Sequence, residues 1–159
     1  MLYSGRERFE RFLEEFHEGD VYGHWPGRTI TEAANEAFCM LTMNQQPLHV
    51  DAEYARASQH GKVLVNGLFI LATAVGMSVP DLSGAAIANL DYEQVTHHGP
   101  AFIGDTMYAE STILSVRESS SRPDRGIVQV ETRVTNQRGE IILSFRRRFM
   151  TPKRPRPQA

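Results

Sequence analysis

Residues 66–77 read NGLFILATAVGM, and from Leu68 onward the segment is apolar on every face apart from Thr73. A helix of that composition belongs inside a protein, covered on all sides. The rest of the chain must therefore be arranged around it. The longer apolar run, Val63 to Val79, has 17 residues and is interrupted by Asn66, Gly67, Thr73 and Gly76. That is too short and too broken for a bilayer span, so a buried element is expected.

The flanking segments supply a wrapper. Phe9, Phe12, Leu13 and Phe16 recur at helical spacing behind a Ser4–Glu7 capping box, and HEGD at 17–20 makes a turn. Val21 to Trp25 suits a short strand closed by Pro26-Gly27. Thr29 to Glu32 is a second capping-box pattern, followed by an apolar stripe of Ala33, Ala34, Ala37, Phe38, Met40 and Leu41. That helix should stop before Pro47, because proline disfavours helical geometry in the residue before it. Asp51 can cap a further short helix, AEYARAS. From Ala85 the period changes to two: AAIANL, EQVT, TMYAESTILSVRE, GIVQVETRVTN and EIILSFRRRFM read as strands. Asn136 to Gly139 joins the last two as a hairpin, SSSRPDRG at 119–126 is a loop, and TPKRPRPQA at 151–159 is a loose basic tail. Helices first and antiparallel strands after, with one wholly apolar helix between, predict an α+β hot-dog fold whose sheet curls around that helix. Residues 1–152 form the single domain and 153–159 the tail.

Composition narrows the function. With 41% apolar and 23% charged residues in 159, one ordinary globular core is expected. A formal net charge of −2 argues against wholesale nucleic-acid binding. Cys39 is the single cysteine, which excludes an internal disulfide and suits a reducing cytoplasm. The first residues mix Arg and Glu without an apolar run, so no signal peptide is expected.

The chemistry centres on LTMNQQPLHVD, residues 41–51, with His49 five positions after Asn44. Taken alone, His49 reads either as a satisfied loop histidine or as a base. Asn44 reads either as a helix C-terminal residue or as a polar group for water. Asp51 reads as a helix cap, and Cys39, on the apolar stripe, as core. His97-His98 carry no acidic or cysteine partner at ligand spacing, so no metal is expected. Arg122, Arg125, Arg146 and Arg148 are candidates for phosphate, which guanidinium grips in a fork.

PLHVDAEYA resembles the motif of the (R)-specific enoyl-CoA hydratases and MaoC-like dehydratases, roughly Gly-Asp-x-Asn-Pro-Leu-His followed six residues later by Ala or Ser. LVNG is similar to the start of that family's central helix, and GPAFIGDTMYAES to its Gly-Asp-Thr corner. The resemblance runs from about Phe9 to Pro152. It is strongest to the branch related to mesaconyl-CoA and itaconyl-CoA hydratases, where TMN precedes PLHVD. It implies that His49 is the catalytic histidine and that Gly67 offers the N–H holding the thioester oxygen. Asn44 stands where the family has its aspartate, Gln46 on its asparagine, and Asn66 where a histidine often precedes the glycine. An amide cannot exchange a proton as a carboxyl does, so Asn44 is expected to orient water while His49 both removes and returns the proton. Gln46, Asn66, Arg122 and Arg125 are expected to bind substrate. The implied reaction is hydration of a short, possibly branched or dicarboxylic enoyl-CoA, with no cofactor beyond the CoA of the substrate. Alternatives are a hot-dog thioesterase, although residues 68–77 lack its acidic residue, and a non-catalytic acyl-CoA-binding protein. A homodimer or larger homo-oligomer is expected, with His49 of one chain near Gly67 of the other. No nucleic-acid or membrane partner is expected.

Overall fold

The computed structural model describes residues 5–155. Five antiparallel strands form one sheet: β1 (Val21–Thr29), β2 (Ala88–His97), β3 (Thr106–Glu118), β4 (Arg125–Thr135) and β5 (Ile141–Pro152). Their order is β1-β3-β4-β5-β2, which leaves β1 and β2 at the edges. Helices α1 (Glu32–Leu41), α2 (Pro47–Val50), α3 (Ala52–Ala57) and α4 (Gly67–Ser78) lie between β1 and β2 in the chain. A π-helical turn, Val79–Ser83, continues α4. This is the hot-dog arrangement expected, with α4 as the central helix.

Alternation along the strands builds the core. In β4, Gly126, Val128, Val130, Thr132 and Val134 turn inward while their neighbours stay partly open. Val134, Leu143, Phe145, Met107 and Ala109 pack under Ile70 and Ala74 of α4. At the other end of the sheet, Leu13, Phe16 and Leu82 cover Ile113, Val128, Val130 and Phe149. Arg147 crosses the space beneath α4, where its guanidinium donates to Ser78 Oγ at 2.8 Å. Burial pulls its pKa below the usual arginine value.

Several local expectations are corrected. The N-terminal aromatics sit on two 3₁₀ turns, Gly5–Phe9 and Leu13–Glu15, rather than one helix. Ser4 of the expected box lies outside the described residues. Pro26-Gly27 does not end β1 but forms its irregularity, between the pairings His24–Ala109 and Arg28–Met107. The α1 cap is Thr31, whose hydroxyl accepts from the Ala34 N–H at 3.2 Å, while Thr29 bonds Thr106 within the sheet. The end of AAIANL and EQVT lie along one strand, β2, while Ala85 to Ile87 precede it. Thr151 is no loose tail: it is buried in β5 and donates to the Arg11 carbonyl. Residues 156–159 lie outside the described residues.

Two burial expectations also change. Helix α1 buries Asn35 and Cys39, yet Met40 and Leu41 are 80% and 85% exposed. Helix α4 buries only the stripe of Ile70, Ala74 and Ser78, leaving Leu68 55% exposed, with Ala72 and Gly76 open on the same side. The sheet of this chain covers one side of α4 and leaves the opposite apolar face exposed.

Candidate active site

The expected break at Pro47 is a change of direction. Helix α1 ends at Leu41, Met43 adopts a left-handed φ of 53°, and Asn44 N–H bonds back to the Cys39 carbonyl. Pro47 then opens the single turn of α2, where its missing N–H is no loss. His49 emerges from this turn into a cavity of about 350 Å³, whose lining also includes His60, Gly67, Ile70, His97 and His98. The Leu64 carbonyl lies 2.7 Å from His49 Nδ1. A carbonyl only accepts, so Nδ1 carries the hydrogen and the neutral ring keeps its lone pair on Nε2. No partner for Nε2 is present among the described residues. A neutral ring so held can accept a proton at Nε2.

Gly67 is the first residue of α4, and Asn66 is its cap. The Asn66 side-chain oxygen accepts from Leu68 N–H at 2.9 Å, and the Asn66 carbonyl takes Phe69 and Ile70 N–H. Gly67 N–H has no acceptor among the described residues, and it points out of a helix start where the dipole favours negative charge. The lack of a side chain here is structural as well: a Cβ on Gly67 would lie 2.3 Å from His97 Cε1.

Asn35 ties the two halves together. From the buried face of α1 its Nδ2 donates to the His49 carbonyl at 2.9 Å, and its Oδ1 accepts from Asn66 N–H at 3.0 Å. Sequence reasoning missed it. The available signal was one amide on an otherwise apolar helical stripe. Asp105 of the Gly-Asp-Thr corner accepts at 2.9 Å from the N–H of Phe102, next in sequence to the lining residue Ala101. Burial works to raise its pKa, but bonds from Gln137, Phe102 N–H and Arg138 outweigh that and keep the carboxyl below the usual range.

Other expected site residues stand elsewhere. Asn44 does not reach the cavity; its Oδ1 accepts from Gln46 N–H at 3.0 Å, closing a local turn beside Met40 and Met43. Gln46 is exposed and caps α2. Asn66 is buried under the helix it caps, with Nδ2 toward Cys39 Sγ. Arg122 and Arg125 flank the start of β4, and Arg125 is forked onto Asp124. His97 pairs with Leu143, which pairs with Val134, nine residues along β4 from Arg125. That is about 30 Å at strand rise, so these arginines are not brought to His49. Arg146 and Arg148 are held by Glu131 and Asp91. His49 and Gly67 line one cavity within a single chain. Among the described residues no three His, Cys, Asp or Glu side chains converge on a metal position, and no helix is long and apolar enough to cross a membrane.

One further chain of bonds has the order of a hydrolytic triad. His24 Nδ1 meets Asp81 at 2.8 Å, and Nε2 meets Ser111 Oγ at 2.8 Å. Ser111 is 0% exposed and continues to Thr132 at 2.7 Å. Its hydroxyl reaches no substrate, so the chain is an interior strut across β1, β3 and β4.

A hot-dog sheet thus carries an oriented histidine and a bare N–H at the start of its central helix. Residues 4–159 match the model of the mesaconyl-CoA hydratase family, and the chain belongs to that family. It is 35% identical over 144 residues to a mesaconyl-CoA hydratase of Cereibacter sphaeroides, covering 91% of this chain and 42% of that one. A β-methylmalyl-CoA dehydratase of Chloroflexus aurantiacus is 29% identical over 143 residues, 90% of this chain and 40% of that one. The chain thus spans about two-fifths of the length of these relatives. The solved MaoC-like dehydratase from Rhodospirillum rubrum superposes with a TM-score of 0.81 at 30% identity, over 92% of this chain and 100% of that one. A Mycobacterium tuberculosis protein described as a double hotdog fold shares the architecture, with a TM-score of 0.84 at 23% identity over 94% of this chain and 46% of that one.

Proposed function

We propose that this chain adds water across the double bond of a short enoyl-CoA, or removes it in reverse, the acyl group being branched or dicarboxylic. The observation carrying this reading is the His49 ring, fixed by Leu64 with Nε2 bare, in one cavity with the unpartnered N–H of Gly67. His49 Nε2 takes a proton from water, and the oxygen bonds to Cβ. The alkene electrons move to the thioester oxygen, where Gly67 N–H and the helix dipole hold the enolate. His49 then returns the proton to Cα from the same face, so the addition is syn and the enzyme ends unchanged. No second acid is required, which suits Asn44 lying in a turn. The relatives' names support the substrate class.

A second copy completes the unit. The open face of α4 at Leu68, Ala72 and Gly76, and the β2 edge with Leu90, Tyr92 and Val95 exposed, support a homodimer. The double hotdog neighbour, of which this chain covers 46%, supports the same pairing. A stable monomer by light scattering at micromolar concentration refutes it. Free Cys39 supports a reducing cytoplasm as its compartment.

The test is product analysis with crotonyl-, mesaconyl- and itaconyl-CoA. Loss of enoyl absorbance without CoA release is expected. Free CoA indicates a thioesterase, and binding without either change indicates an acyl-CoA-binding protein.

A further inference from the structure

We infer that His97 is a further catalytic residue, donating a hydrogen bond to the thioester oxygen beside Gly67 N–H; this rests on the hydratase reading above. His97 closes β2, 48 positions from His49, and the fold brings both into one cavity. Its ring stands against the start of α4. The place a Gly67 Cβ would occupy is 2.3 Å from His97 Cε1, 2.9 Å from Nε2 and 3.0 Å from Nδ1. Both ring nitrogens therefore lie close to the first residue of α4, whose N–H is bare.

Several neighbouring hydrogen-bonding groups are already engaged. Leu68 N–H is taken by Asn66, His49 Nδ1 by Leu64, and His98 Nε2 by Ser144 at 2.7 Å. Among the described residues neither nitrogen of His97 has a partner. An enolate oxygen is best stabilised by more than one preorganised donor, and the first turn of α4 offers only the Gly67 N–H free, since Leu68 N–H is taken by Asn66. Neutral imidazole carries one N–H and needs no proton transfer to give the second bond. That bond strengthens as negative charge develops on oxygen, and the proton stays on His97 throughout.

Three variants separate donation from packing. His97→Phe keeps a ring against Gly67 without a donor, His97→Gln keeps an N–H near the Nε2 position, and His97→Ala keeps neither. With crotonyl- or mesaconyl-CoA, His97→Phe and His97→Ala are expected to lower kcat by about 10²–10³, the range for one oxyanion donor. KM should stay within about threefold, and His97→Gln should recover at least tenfold over His97→Ala. Wild-type kcat in His97→Phe, which preserves the packing and so the fold, overturns the inference while the hydratase reading stands. A second readout uses 2,4-hexadienoyl-CoA, whose absorption lies clear of adenine and shifts to the red when its carbonyl is polarised. His97→Phe should reduce that shift and His49→Ala should not. An equal shift in His97→Phe and wild type overturns the inference even if wild type proves inactive. Wild type that neither hydrates nor binds any enoyl-CoA overturns both readings.

Discussion

Asn35→Ala tests the link between the histidine turn and the central helix. Asn35 is 1% exposed, and its amide serves the His49 carbonyl at 2.9 Å and Asn66 N–H at 3.0 Å. Alanine removes both partners and leaves two backbone groups in the interior. Each orphaned group costs about 1–3 kcal/mol, so a loss of about 2–5 kcal/mol is expected. For a chain of this size that is a fall in Tm of roughly 5–15 °C. His49 would then lose its tie to α1 and keep only its ring bond to Leu64 and its N–H bond to the Gln46 carbonyl, so kcat should fall more than KM rises. Asn35→Asp sharpens the test. It keeps an acceptor for Asn66 N–H but sets a carboxylate against the His49 carbonyl, so at neutral pH it should be no more stable than Asn35→Ala. Burial raises the pKa of such a carboxyl. On mild acidification it becomes an O–H donor to that carbonyl, and its deficit should shrink. Urea melts of the three proteins at two pH values decide the matter. An Asn35→Ala protein within about 0.5 kcal/mol of wild type, the usual surface range, refutes the reasoning.

His49→Ala should lower kcat by about 10²–10⁴, the range for general acid–base catalysis, with the melt little changed; a fully active variant ends the mechanism. Asn44→Ala should change kcat by less than about threefold, a transition-state difference below about 1 kcal/mol, because its oxygen closes a turn outside the cavity; steady-state kinetics showing a hundredfold loss would return Asn44 to the site. The pKa of His24 is lowered by burial, which outweighs its bond to Asp81. The unfolded chain therefore takes up that proton first as pH falls. This contribution to stability is complete above about 6.5 and is lost as pH drops from there toward the lowered folded value. Urea melts between pH 7.5 and 5.5 should show the decline, and His24→Gln should flatten it.

The elements themselves were legible in the sequence, because period and punctuation are local properties. The two-residue alternation of β3 to β5, the hairpin at Asn136–Gly139 and the cap at Asp51 all stand where the residues implied. His49 and Gly67, each marked by a short motif, line one cavity. Errors came where a pattern has two solutions. Phe9, Phe12, Leu13 and Phe16 have helical spacing, yet two 3₁₀ turns bury Leu13 and Phe16 as well.

By itself the sequence determined that α4 is apolar on nearly every face and that a histidine follows a chain reversal at Pro47. Tertiary structure alone decided which atoms meet. Asn44 lies five residues from His49 and is turned away, because the left-handed Met43 sends the chain into a closed local turn. His97 lies 48 residues from His49 and shares its cavity, because β2 pairs with β5 and ends beside the first turn of α4. Apolar character says only that a face avoids water. What covers it depends on strand order, and the sheet of one chain leaves Leu68, Ala72 and Gly76 open.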